Sequence, residues 1–187
     1  MTDLDIANRA LVLIGVEPIG SLSDKSKAAR VMSGLLTGTK RAVLNEFPWT
    51  FNNRIEKLVS ASGSVSGYSN VFKRPSDALS IHRVYSGDKF SGIAEYRQVN
   101  NLIAANISSG SIEYSAYVDD VDTWPAQLQE CLATRLAADA AASFTGNLQL
   151  TTALLQKYMT LANLAAQGSV NEENVPPMRK AEYVTSR

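Results

Sequence analysis

The sequence predicts an α+β fold: a mainly antiparallel helix bundle of about four helices with an inserted small antiparallel β-sheet module. Three observations predict it. Apolar residues recur at helical spacing in the first and last thirds of the chain. Between them, from Trp49 to about Asp120, serine, glycine and asparagine interrupt short pieces whose apolar period is two. The length of 187 residues, 45% hydrophobic, fits one domain, or one domain with an inserted module, around a substantial core. The predicted organisation is a single domain over 1–168, with helices at about 3–15, 23–47, 124–145 and 148–167 and a β-rich insertion at about 49–120. An extended tail covers 169–187.

The first helix rests on Leu4, Ala7, Leu11 and Ile14, with Thr2 or Asp3 as N-cap and Gly15 and Pro18 as the stop. Residues 17–22 read as a turn, after which Ser23 is positioned to cap the second helix. Ala28, Met32, Leu35, Thr39 and Ala42 form its apolar stripe, and Pro48 ends it. Gly34 and Gly38 each cost about 1 kcal/mol against alanine in a helix interior, so they either permit close helix contact or mark a bend. In the insertion, Ile112, Tyr114, Ala116 and Val118 alternate with Glu113, Ser115 and Tyr117. Residues 93–99 and 102–105 read as neighbouring strands, residues 79–85 as a further one, and 60–67 as an exposed loop of low complexity. The third helix follows Pro125, with Leu128, Leu132, Leu136 and Ala140 on one face and alanines making the rest narrow. The fourth carries Leu154, Leu155, Tyr158, Leu161, Ala162 and Ala165, and Gly168 ends it. The tail is polar, contains Pro176-Pro177 and has no amphipathic period, so it reads as extended until a partner orders it.

Composition excludes several functions. Eighteen basic residues balance eighteen acidic ones, which argues against attachment to nucleic acid or an anionic membrane mainly by net charge. One cysteine, Cys131, allows no internal disulfide or cysteine cluster; one histidine, His82, leaves little room for a metal site or catalytic triad. No apolar run approaches the roughly 20 residues of a bilayer span, and the acidic start does not resemble a secretory signal. A soluble chain made in a cytoplasm, with no membrane partner, is the expectation.

The candidate sites are sparse. Gly63-Ser64-Val65-Ser66-Gly67 has the spacing of a serine elbow but lacks the flanking strand and helix, so a flexible loop is the better reading. His82 reads as a structural or surface residue and Cys131 as a buried hydrophobe. Asp119, Asp120 and Asp122 are spaced to bind a divalent cation, but stabilisation of the third helix's N-terminus is preferred. Asp139 pairs with Arg135 at i,i+4. Phe47-Pro48-Trp49-Thr50-Phe51 reads as core packing at a junction. Lys25, Lys27, Arg30, Lys40 and Arg41 make the second helix basic; a solvated face or subunit contact is favoured over a helix lining a DNA channel. The residues expected at interfaces are Lys25, Arg30, Lys40 and Arg41, with Pro176, Pro177, Arg179 and Tyr183 in the tail. No catalytic residue, cofactor or metal is expected.

Several blocks together resemble the tail tubular protein A family of short-tailed phages. The first is Ala7-Asn8-Arg9-Ala10-Leu11 with Ile14-Gly15-Val16-Glu17-Pro18-Ile19 and then Ser21-Leu22-Ser23-Asp24. The second is Pro48-Trp49-Thr50-Phe51 followed by Arg54 and Leu58, and the third is Arg74-Pro75-Ser76-Asp77-Ala78-Leu79. The fourth is Trp124-Pro125, leading into Leu132-Ala133, Leu136-Ala137, Tyr158 and Ala162. The resemblance spans about residues 4–168. It implies a helix bundle bearing a small β module and a role as head-to-tail adaptor. Such subunits form a homo-oligomeric, typically dodecameric ring in the virion neck. The ring joins the portal protein to the tail nozzle protein, and genomic DNA passes through it without sequence-specific binding. Another phage connector or completion protein is the alternative, and an unrecognised small enzyme a further one.

Overall fold

Thr2 opens the first helix with a reciprocal capping box. The Asp5 N–H donates to the Thr2 hydroxyl at 3.2 Å, and the Thr2 N–H donates to the Asp5 carboxylate at 2.8 Å. The computed structural model describes residues 1–87 and 92–173. Within them, α1 spans Asp3–Leu13 and buries Ile6, Ala7, Ala10 and Leu11. Gly15 reverses the chain with φ 72°, and the Val16 N–H bonds the Leu11 carbonyl at 2.9 Å.

The second helix, α2 (Lys27–Glu46), starts later than Ser23. The reason is local. The Ser21 N–H donates to the Asp24 carboxylate at 2.9 Å and the Ser23 N–H to the Ser21 hydroxyl at 3.1 Å. These polar groups close their own turn instead of capping a helix. Ser26 caps α2, accepting from the Ala29 N–H at 3.1 Å. Pro48 forces Phe47 into an extended conformation and ends the helix. Gly34 and Gly38 have open space where a Cβ would sit, so they serve no close contact among the described residues.

Among the described residues seven strands follow before the next α-helix, forming two antiparallel sheets where one was expected. Strands β1 (Asn53–Lys57), β7 (Gly110–Ala116), β3 (Ala78–Ser86) and β4 (Gly92–Ile93) make a four-stranded sheet in that order. Strands β2 (Asn70–Lys73), β6 (Leu102–Ala105) and β5 (Tyr96–Val99) make the other. The difference lies in the neighbours of β7. Its residues are almost all buried, so it sits inside its sheet with β1 and the nine-residue β3 on its edges. The pieces expected beside it instead form the hairpin β5–β6, turned by Asn100 at φ 53°, and that hairpin pairs with β2. A second core lies here around Phe72, Val84, Ile103, Ile112 and Tyr114.

The remaining helices are α3 (Ala126–Phe144) and α4 (Leu148–Glu173). α3 packs against α1, α2 and α4, and its alanines at 133, 137, 138, 140 and 141 are all buried. Small side chains let one helix serve three neighbours. Gly168 does not stop α4, which continues to Glu173. The first residues of the expected tail are therefore helical, and Ser169 is tied back to Thr50 through its carbonyl at 2.9 Å and its hydroxyl at 2.8 Å. Pro176, Pro177, Arg179 and Tyr183 lie outside the described residues.

Candidate interaction surfaces

The outer face of α2 is basic but smaller than its composition implies. Arg30 and Arg41 are exposed on it, and Lys25, expected on the helix, is exposed in the bend before its Ser26 cap. The Arg41 guanidinium lies 4.5 Å from the centre of the Tyr117 ring. Lys40 is not part of this face. Helical spacing places it beside Leu36, Val43 and Leu44, and it is only 2% exposed. Its ammonium donates to the Asp3 carboxylate at 2.9 Å, the Asp119 carbonyl at 2.7 Å and the Asp119 carboxylate at 3.1 Å. Lys40 thus joins α1, α2 and the segment after β7 within one chain. Between Arg30 and Arg41 the exposed residues Ser33, Gly34, Thr37 and Gly38 leave a shallow trough.

The acidic run before α3 is divided among separate tasks. Asp119 accepts from the Tyr117 hydroxyl at 2.9 Å as well as from Lys40. Those two bonds hold its carboxyl below the usual aspartate range. Burial, with the Asp119 bond and charge, pushes the Tyr117 phenol up to about 12. Asp120 caps the short 3-10 turn at Val121–Thr123, and Asp122 takes the N-terminal ammonium at 2.9 Å. α3 begins behind Pro125 with no side-chain cap and no acid in its first turn, so of the three carboxylates only Asp120 acts as a cap, on the preceding turn. Among the described residues no three His, Cys, Asp or Glu side chains converge to hold a metal.

One polar cluster was not legible in the sequence. Glu113 sits mid-strand on β7, its side chain 13% exposed. It accepts from Asn53 on β1 at 3.0 Å and from the Tyr85 hydroxyl on β3 at 2.6 Å, with Arg83 at 3.7 Å. Burial pushes its carboxyl up, but the two hydrogen bonds and the nearby Arg83 and His82 bring it below the usual glutamate range. The only sequence signal was a lone acid on a strand. His82 Nε2 lies 2.8 Å from the Ser115 hydroxyl. Ser115 is fully buried, so this pair ties β3 to β7 and presents no nucleophile. Cys131 is fully buried, and burial pushes its thiol up to about 11. The Arg135–Asp139 pair forms at 3.1 Å.

The outer face of α4 carries almost no charge. Over 148–169 the only Lys, Arg, Asp or Glu is Lys157, which lies 3.6 Å from Glu130 on α3. Leu148, Met159 and Leu164 are 77%, 60% and 56% exposed. Leu155 is 37% exposed on the same flank as Leu148 and Met159, and helical spacing puts Leu164 on the opposite flank. No helix of the described residues is long and apolar enough to cross a membrane.

The blocks noted in the sequence fall at joints. Asn8 clasps Ile19 in both directions, at 3.0 and 2.8 Å. Arg9 makes a two-pronged pair with Glu130 at 3.1 and 3.2 Å. The Trp49 indole donates to the Val43 carbonyl at 2.9 Å, and its ring meets Phe47 edge-on at 5.2 Å. Arg74 donates to the carbonyls of Ala78 and Leu79, Trp124 to that of Val118, and Tyr158 to the Glu46 carboxylate. Each of these residues fixes one element against another. No protein-family model matches the chain, and no curated protein matches it.

Proposed function

We propose that the chain is a structural virion protein, the subunit of a head-to-tail adaptor ring in a short-tailed phage. Its helical body, a bundle carrying an inserted β module, packs side by side with further copies, twelve in the ring. The ring sits between portal and tail nozzle in the virion neck, and genomic DNA passes through it.

The observation that carries this reading is the pair of unlike exposed faces on α2 and α4. A head-to-tail ring needs two different, complementary patches on every subunit. The α4 face exposes leucine and methionine with a single charge, so its burial strands few ions. The α2 trough is floored by Gly34 and Gly38, whose cost in a helix is not offset by any contact among the described residues. Ridge and trough suit one another. Zero net charge limits repulsion among crowded copies and keeps the lumen from holding DNA tightly. The resemblance of residues 4–168 to tail tubular protein A supplies the specific identity. The reading assigns no catalytic residue, cofactor or metal to the chain.

Co-expression with the portal protein encoded nearby tests it. The chain is expected to co-purify as a multi-copy complex, and Leu155→Glu combined with Met159→Glu is expected to abolish that complex while leaving a folded monomer. Wild-type chain that never associates with portal would overturn the reading.

A further inference from the structure

We infer that the two sheets close into one six-stranded barrel, and that this barrel opens and closes as a cooperative unit of its own beside the helical body. Two seams close it. Past β1 the chain crosses to the second sheet. There the Lys73 N–H donates to the Val59 carbonyl at 2.8 Å, the Ala61 N–H donates to the Val71 carbonyl at 2.9 Å, and Ser60 bridges Phe72. The second seam is the run from β4 into β5. β4 pairs with β3, and the Ala94 N–H still donates to the Val84 carbonyl at 2.7 Å. Two residues later, at Tyr96, β5 begins beside β6. The order around the ring is therefore β1, β7, β3, β4 running into β5, then β6, β2 and back to the continuation of β1. Because β4 and β5 follow one another along one stave, seven strands make six staves.

The side chains follow the same closure. Each stave sends residues into one interior, among them Leu58, Phe72, Val84, Tyr96, Ile103 and Ile112. Phe72, Val84, Ile103 and Ile112 are at most 1% exposed. The Tyr96 hydroxyl of one sheet donates to the Ile81 carbonyl of the other at 3.2 Å. Side chains fill a barrel of this size, and closure pairs strand edges that would otherwise invite aggregation.

The barrel is joined to the helices only narrowly. Its apolar cluster is distinct from the one around α3. Among the described residues, α2 is the one helix in more than slight contact with the strands, at β3 and β7. The barrel end nearest the helices is stitched to itself. The Asp77 carboxylate takes Arg54 of β1 at 2.8 Å and the Tyr114 hydroxyl of β7 at 3.3 Å, and its carbonyl takes the Tyr117 N–H at 2.7 Å. The tie to the body runs through Asn52, which is fully buried and donates to the Leu44 carbonyl of α2 at 3.3 Å and the Ala116 carbonyl of β7 at 3.1 Å. Leu79 and Tyr117 pack against the body's core, with Arg41 over the Tyr117 ring. Cooperative units follow contiguous packing, so two cores joined by so few contacts open separately. A unit that opens alone lets the β module rearrange against a partner while the helices stay packed. This goes beyond the adaptor reading and does not depend on it.

Native-state hydrogen exchange of the full chain in low denaturant tests this. The amides of β3 and β7 in one sheet and of β2 and β6 in the other are expected to share one opening free energy, below that of the α3 amides. Phe72→Ala, inside the barrel, is expected to speed exchange in all four strands by at least about a hundredfold and to leave α3 within about twofold of the wild type. A variant that loses its strands by circular dichroism and keeps its helices is the same result at its extreme. Should Phe72→Ala leave no folded chain, Val84→Ala on β3 provides the second arm, read the same way. Exchange in α3 accelerated as much as in the strands would overturn the inference, and so would β2 and β6 responding without β3 and β7.

Discussion

The Tyr158 hydroxyl donates to the Glu46 carboxylate, joining the middle of α4 to the last residue of α2. Tyr158 is 1% exposed, and Arg135 of α3 lies 5.3 Å from its ring centre. Three helices thus meet at one side chain. Tyr158→Phe keeps the packing and removes the bond. Because Glu46 is exposed and can take water instead, the expected loss is about 1 kcal/mol in chemical denaturation. Tyr158→Ala removes the packing as well and is expected to cost about 3–5 kcal/mol, the range for large aromatic truncations.

Stability is expected to fall at both ends of the pH scale for identifiable reasons. Asp119 and Glu113 have folded-state values below their ordinary ones. Their contribution is complete above the ordinary carboxylate range, about 4, and disappears as pH falls through the depressed values. Tyr117, Tyr114 and Tyr158 are raised, Tyr117 to about 12. Their contribution is complete below the ordinary phenol value near 10 and is lost as pH rises through the raised ones. Thermal melts should therefore be nearly flat from about pH 5 to 9. Asp119→Asn should flatten part of the acid limb, and Tyr158→Phe part of the alkaline one.

Lys40 offers a test of which partner of an ion pair matters. The lysine is 2% exposed, whereas its partners Asp3 and Asp119 are 42% and 79% exposed. Removing the lysine leaves two carboxylates that water can solvate. Replacing both carboxylates by amides leaves a buried ammonium with neutral acceptors only, among them the Asp119 carbonyl. Lys40→Met is expected within about 1 kcal/mol of the parent, and the Asp3→Asn, Asp119→Asn double variant about 1–2 kcal/mol below it, by urea titration.

Glycine substitutions should act in opposite directions at different sites. A Cβ at Gly110 would lie 2.0 Å from the Tyr85 carbonyl, so Gly110→Ala must push β3 from β7 and is expected to cost about 1–3 kcal/mol. At Gly34 and Gly38 no described residue would lie within 4 Å of the added Cβ. Alanine at each is expected to stabilise the isolated chain by about 0.5–1 kcal/mol, read from the melting temperature. On the adaptor reading, the same two substitutions should impair ring formation, separating a trough kept for a neighbour from one that is incidental.

The helices were legible because one-sided burial leaves a period that local sequence carries: Leu4 to Ile14, and Leu128 to Ala140. The errors arose where local polar chemistry or long-range pairing decided. Ser23 sits in a turn held by Ser21 and Asp24, so the next cap in line, Ser26, was used. The partners of β7 are 24 or more residues away in the chain, and alternation reports that a strand exists without reporting its neighbour. Lys40 read as surface charge because no local pattern announces that Asp3 and Asp119 will converge on it. The Glu113 cluster was invisible for the same reason, its donors coming from β1 and β3. Gly168 read as a stop, yet α4 runs through it and Ser169 bonds to Thr50.

The most direct measurement of the central proposal is electron microscopy of the chain co-expressed with the portal protein that the adaptor reading pairs with it. The account predicts a second ring stacked on the portal with matching symmetry, in which α4 of each subunit lies against α2 of the next. A portal carrying no second ring, with the chain left over as a stable monomer, would contradict it.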